Sequence, residues 1–212
     1  MEFKIENTQV YGLNTSIIAS GNPMRTQIIN RTEEELIDKD TKRAIALGST
    51  NAGEGHDQYL TGIIVQFDLY APLYMWKEIQ RYHFLDFISS QSTMHRLAKF
   101  NVKEQCVADT DEIILNRYQE LLDYYNSHDD TNEDRRMEDW RHLVASLPCG
   151  FVLGATMTTN YRQLKTIYNQ RKNHKLWEWH DFCAWCETLP NFIELTGIKK
   201  KGIQNDLENK QN

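Results

Sequence analysis

What this chain has little of narrows it first. Four prolines and ten glycines in 212 residues leave little room for long structureless stretches outside the tail. Positive charge is not in excess: 24 Lys and Arg stand against 30 Asp and Glu, a net charge of −6. Proteins that hold nucleic-acid polymers through their phosphates are usually basic, so that class is disfavoured, although local basic sites are not. No apolar run approaches the length of a membrane span, and the opening Met1-Glu2-Phe3-Lys4-Ile5 lacks a signal-peptide core. A cytoplasmic protein without a membrane partner is therefore expected, with Cys106, Cys149, Cys183 and Cys186 reduced. Gly-x-Gly-x-x-Gly, Walker-type and Gly-x-Ser-x-Gly motifs are all missing, which removes support for the common phosphate-loop and serine-hydrolase chemistries.

What is present is ordinary folding material, 40% hydrophobic and 25% charged. Residues 1 to about 20 mix β-formers with polar residues and predict a leading strand or two. Thr32-Glu33-Glu34-Glu35 opens a predicted helix that runs to Leu47, and Gly48 to Gly55 is a loop. Ile63, Val65, Phe67 and Leu69 alternate with Ile64, Gln66, Asp68 and Tyr70, the period of a strand. Pro72 then stands where a helix can begin. Asp111 caps a helix carrying Ile114, Tyr118, Leu121, Leu122 and Tyr125. Met137, Trp140, Val144 and Leu147 mark the next one, which Pro148 and Gly150 stop. The predicted class is α+β, a mostly antiparallel sheet flanked by helices: one domain over residues 1–198, then a polar tail over 199–212.

The most informative stretch runs from Thr158 to Glu178. Thr158-Thr159 favour extended structure, Asn160 is a good helix cap, and a predicted helix follows to Glu178 and on through Trp185. Arg162 and Arg171 lie nine positions apart, about 900° of rotation, so they leave a straight helix on opposite sides. Such a helix suits a place between two ligand groups or two subunits. Arginine forks suit phosphate and planar imides, because they donate parallel hydrogen bonds and stay charged. Ser89-Ser90-Gln91-Ser92-Thr93, between Arg81 and Arg96, has the donors of an anion site, though a serine-rich surface loop explains it as well. His180, Cys183 and Cys186 invite a metal reading. No second Cys-x-x-Cys accompanies them, and positions six apart diverge by about 120° on a helix, so buried thiols and no metal are expected. Asp129, Asp130, Glu133, Asp134 and Glu138, interleaved with Arg135 and Arg136, read as a solvated helix start.

In order along the chain, these residues resemble the flavin-dependent thymidylate synthases. Thr159-Asn160-Tyr161-Arg162-Gln163-Leu164 resembles that family's Thr-x-Asn-x-Arg-x-Leu, and Leu147-Pro148 its Leu-Pro. Arg171, His174 and Glu178 resemble its Leu-Arg…His-Ala-Gln-x-Glu, and Gly55-His56-Asp57 its Gly-His-Glu. Ala71-Pro72 resembles the Ala-Pro that opens its next helix. The likeness spans roughly residues 20 to 190. Of the signature Arg-His-Arg-x-x-Ser-x-Asn-x-x-Ser-x-Arg-Tyr, Arg81 and Arg96 remain clear. Tyr82-His83 replace His-Arg, and Gln58-Tyr59-Leu60-Thr61 replaces a Thr-Pro-Phe-Glu segment.

The resemblance implies a homotetramer with sites between subunits. It further implies FAD, with NADPH and methylenetetrahydrofolate as co-substrates, and methylation of dUMP at C5. In that scheme Arg171 is the catalytic fork on the uracil imide, and Ser92, Arg96 and Arg141 hold the phosphate. Glu78 and Arg81 serve the nucleotide, while Arg81, His83, Asn160, Arg162 and His174 serve the flavin. A flavin-free nucleotide-binding homologue, or the same fold modifying another pyrimidine nucleotide, stands as the alternative.

Overall fold

The computed structural model describes residues 1–29, 36–51, 54–128 and 132–199. In chain order the elements are β1 (Lys4–Tyr11), α1 (Leu13–Ala19), α2 (Asp38–Gly48), a 3₁₀ stretch His56–Gly62, β2 (Ile64–Pro72) and α3 (Leu73–Ile79). There follow β3 (Asp86–Ser90), α4 (Thr93–Arg96), α5 (Val102–Gln105), α6 (Glu112–Ser127), α7 (Glu133–Ser146), β4 (Val152–Asn160), α8 (Tyr161–Arg171), α9 (Trp177–Cys186) and α10 (Phe192–Thr196). The class is α+β, as expected. The sheet has four strands in the order β1-β2-β4-β3.

Its pairing is antiparallel where cross-strand bonds fix direction. Between β2 and β4 the Tyr161 amide donates to the Ile63 carbonyl, and the Thr156 hydroxyl reaches Asp68, so one index rises as the other falls. β3 pairs antiparallel with β4, Asp86 opposite Thr158 and Ser90 opposite Ala155, with the register broken between Phe87 and Ser89. Along β2, Val65, Phe67, Leu69 and Ala71 are buried and Ile64, Gln66, Asp68 and Tyr70 half-buried, the alternation expected of that strand.

Four expectations about the secondary structure change. The first twenty residues hold one strand and then helix α1, because Gly12, at φ 73°, turns the chain after Tyr11. The described part of the next helix begins at Asp38; Thr32 to Glu35 lie outside the described residues, as do Asp129 and Asp130. Strand β3 was not foreseen: all five of its residues are exposed, so no buried alternation announces it. Finally, the single helix expected from Asn160 to Glu178 stops at Arg171. There the His174 amide bonds to the Arg171 carbonyl and the Leu176 amide to His174 Nδ1, a local turn that satisfies the backbone in place of helix.

By internal contact the chain forms two compact units, Met1–Thr8 with Gln66–Thr158 and Gln9–Val65 with Thr159–Asn212. The first has a core of Leu97, Val102, Cys106, Tyr118, Leu122, Leu143 and Phe151. Asp111 caps α6 by accepting from the Ile113 and Ile114 amides, and Asn132 caps α7 likewise. Helices α6 and α7 pack together, and the Tyr118 hydroxyl donates to the Leu143 carbonyl at 3.2 Å. Ile114 and Met137, read from the sequence as inward, are exposed.

In the second unit α8 packs against α9, α10 and the stretch His56–Gly62. Tyr161, Leu164, Ile167 and Tyr168 form its buried stripe, and Tyr161 meets Phe192 edge-on at 5.1 Å. Cys183 and Cys186 are buried in α9, and burial pushes the Cys186 thiol well up, so it stays protonated. Helix α2 ends where α10 crosses it: a Cβ on Gly48 would stand 1.9 Å from the Leu195 carbonyl oxygen. Gly48→Ala therefore forces backbone apart and is expected to lower stability by roughly 1–3 kcal/mol, read as a fall in the urea midpoint.

Candidate functional site

Helix α8 exists because Asn160 closes β4 with extended backbone and accepts the Gln163 amide on its side-chain oxygen at 2.9 Å. The helix then carries three cations, and the structure answers each differently. Lys165 lies within the buried stripe. Its Nζ donates to the carbonyls of Gly48 and Thr50, each at 2.8 Å, and to Asp57 Oδ2 at 3.1 Å. Asp57, 3% exposed, turns its other oxygen to Arg162 Nε at 2.9 Å. Arg162 Nη1 also donates to Gln58 Oε1 at 2.8 Å. Burial, and after it the charge of neighbouring Asp57, pushes the Tyr59 hydroxyl well up. It therefore keeps its proton and donates to the Ala44 carbonyl at 2.7 Å.

Arg171, 9% exposed, ends α8 with its guanidinium 4.7 Å from the centre of the Trp179 ring. A cation in the last turn also faces the negative end of the helix dipole. His174 stands edge-on to the same indole at 6.3 Å. Its Nδ1 accepts the Leu176 amide, so the neutral ring carries its proton on Nε2. His180 donates from Nε2 to the His174 carbonyl at 2.6 Å, which ties the start of α9 to this turn. The half-turn offset between Arg162 and Arg171 read from the sequence is thus realised within one helix, one cation against a carboxylate and the other against an indole.

The remaining predicted residues lie in the other unit. Half-buried Glu78 and exposed Arg81 are adjacent at the end of α3, where the Arg81 amide bonds to the Glu78 carbonyl; His83 follows, exposed. Ser92 caps the four-residue α4 by accepting the His95 amide, and the exposed Arg96 closes the same turn. Arg141 is exposed on α7. The serine-rich run is not simply a surface loop. Ser89 and Ser90 belong to β3, and Gln91 extends it, its amide donating to the Gly154 carbonyl while its side-chain oxygen accepts the Gly154 amide.

With Asp68, Tyr70, Gly154, Ala155 and Thr156 these three residues line a shallow groove of about 230 Å³. Neither Arg81 nor Arg96 lines it. Gly154 is required there, since a Cβ would approach the Tyr70 ring to 2.8 Å. Asp68 receives the Asn7 side-chain amide at 2.7 Å and the Thr156 hydroxyl at 2.6 Å, and these bonds hold its carboxyl below the ordinary value. An ionised carboxylate repels phosphate, so this groove suits hydroxyl, amide or amine donors. The sequence reading missed it. Asp68 and Tyr70 were legible as the outward face of β2, but only the β4 register brings Thr156 and Gly154 alongside. Among the described residues no three His, Cys, Asp or Glu are grouped to hold a metal ion.

No family model and no curated protein matches the sequence. Solved structures do. The chain is similar to a flavin dependent thymidylate synthase, ThyX, from Helicobacter pylori in complex with FAD and dUMP. That likeness has 15% identity and a TM-score of 0.65, and covers 92% of this chain and 97% of that one. A second structure of the Helicobacter pylori protein with FAD and dUMP gives 14% and 0.66 over the same shares. A UMP/dUMP methylase, PolB, from Streptomyces cacaoi bound with 5-Br dUMP gives 14% and 0.62, covering 92% and 95%. At identities this low the likeness shows a common fold alone.

The groove carries its own test. Folding favours the ionised form of Asp68, so its contribution is complete above the unfolded carboxylate value and is lost as pH falls through the lowered folded one. The urea midpoint of Asp68→Asn is expected below wild type at neutral pH. The gap should close only in the acid range under the ordinary carboxylate value.

Proposed function

We propose that the chain is a flavin-dependent thymidylate synthase-like enzyme. In this reading it transfers a one-carbon unit from methylenetetrahydrofolate to C5 of dUMP, with FAD as cofactor and NADPH as reductant. One observation carries the reading: the motif residues that prompted it, Asn160, Arg162, Arg171 and His174, occupy one strand–helix–turn of a fold whose solved relatives include complexes with FAD and dUMP. A homotetramer with sites between subunits belongs to the same proposal.

The donors of this chain fit a flavin dinucleotide. Arg81 and His83 are exposed and Arg162 is half-buried. The Asn160 cap uses the side-chain oxygen and leaves an amide group that can donate, and His174 Nε2 carries a proton. These residues would hold the dinucleotide's phosphate and carbonyl acceptors. When bound, FAD supplies the redox chemistry that an unaided side chain cannot. The protein's part is binding and polarisation. Arg171, fixed by Trp179 in a buried place, would fork onto the uracil imide, favour its anionic form and raise the nucleophilicity of C5. Ser92, Arg96 and Arg141 would hold the 5′-phosphate, and Glu78 with Arg81 would orient the nucleotide. No thiol nucleophile is called for, in keeping with the burial of Cys106, Cys183 and Cys186.

A second reading keeps the fold and changes the base or sugar. The similarity to a UMP/dUMP methylase favours it, and so does the acceptor-lined groove at Asp68, which suits a ligand hydroxyl. Purified protein titrated with FAD, then incubated with methylenetetrahydrofolate, NADPH and each of dUMP, UMP and dCMP, separates the readings by which nucleotide gains one methyl in mass. Failure to take up FAD, with no nucleotide changed, would reject both. Arg171→Ala is expected to lower kcat/KM by roughly a hundredfold or more. It should also destabilise the fold by about 1–2 kcal/mol through loss of the stack on Trp179. Arg171→Lys, which keeps the charge but not the fork, should recover more of the stability than of the rate.

A further inference from the structure

We propose that Asp57 is a positioning residue: its carboxylate holds the Arg162 guanidinium in the orientation that receives the anionic part of the dinucleotide. The inference rests on the assignment of Arg162 to the flavin. Asp57 serves two cations, and they are not treated alike. On Lys165 the three N–H groups go to Gly48, Thr50 and Asp57, and the side chain is 7% exposed, so this ammonium has nothing left to offer a ligand. On Arg162 the Asp57 bond uses Nε and the Gln58 bond uses one hydrogen of Nη1, while the side chain is 35% exposed. Five guanidinium donors minus those two leaves three, both hydrogens of Nη2 among them.

A clamp that served only to join α8 to the loop would use both cations fully. This one uses the buried cation completely and leaves the other partly exposed, with its plane fixed from two sides by Asp57 and Gln58. Charge points the same way. One carboxylate faces an ammonium and a guanidinium, so the group keeps one net positive charge. That excess is answered by an anion, such as the pyrophosphate of FAD, more readily than by a neutral ligand. Asp57 is too buried to touch such a ligand itself. It acts through Arg162.

A double-mutant cycle read by quenching of FAD fluorescence tests this on the full chain. Asp57→Ala is expected to weaken FAD binding about tenfold in the wild-type background and less than about twofold in an Arg162→Ala background. Thermal midpoints measured alongside should fall in both. Should Asp57→Ala not fold, Asp57→Asn, which keeps the shape and drops the charge, carries the same comparison. Equal losses in both backgrounds, or unchanged affinity in Asp57→Ala, would overturn the positioning role while leaving the flavin reading intact. A wild type that takes up no FAD would overturn both.

Discussion

Positive charge placed on the buried side of a helix is the constraint from which the rest of this structure follows. A desolvated cation left without partners would cost several kcal/mol, and α8 buries two cationic side chains, Lys165 and Arg171, that must therefore be met. Around Lys165 the chain gathers a carboxylate and two backbone carbonyls, one of them from Gly48 at the end of α2, where the Leu195 carbonyl leaves no room for a Cβ. Around Arg171 it supplies the face of an indole and the end of a helix dipole. The loop before β2, the end of α2 and the start of α9 are each arranged to meet one of these needs. A second shared carboxylate, buried Asp40, does similar service away from α8, where it takes both Arg25 and Arg43.

Two polar surfaces of the chain differ in character. One is rich in donors: Arg162, the His174 imidazole and the Asn160 amide cluster around α8. The other is a sheet face lined by acceptors and hydroxyls, with Asp68 kept ionised by its own hydrogen bonds. Donors answer phosphates and carbonyls; an ionised carboxylate with hydroxyls answers sugar and amine groups.

Much of this was legible in the residues alone, for identifiable reasons. Strand β2 announced itself because it is buried on one side only. The starts of α6 and α8 were marked by Asp111 and Asn160, side chains that bind backbone amides locally and so need no tertiary information. Arg162 and Arg171 could be assigned to opposite sides from their spacing. What stayed hidden depends on register and distance. Nothing near Asp57 announces that Lys165, more than a hundred positions away, will share its carboxylate. Strand β3 has no buried side, and its serines reveal their role only once Gly154 lies beside Gln91. The break after Arg171 escaped notice because it is made by a histidine side chain bonding to the backbone two residues on, in a stretch whose composition still favours helix.

The broken register between Phe87 and Ser89 has one more consequence. β3 is the last strand of its sheet, and it displays Phe87 and Ile88 beside an outer row of peptide groups. A flat, apolar outer strand is a template on which another polypeptide can add itself, the first step of misassembly. The irregularity at Ile88 interrupts the even spacing such a growing ladder would need. The irregularity beside the serine-lined groove thus guards this outer strand against pairing with its own kind.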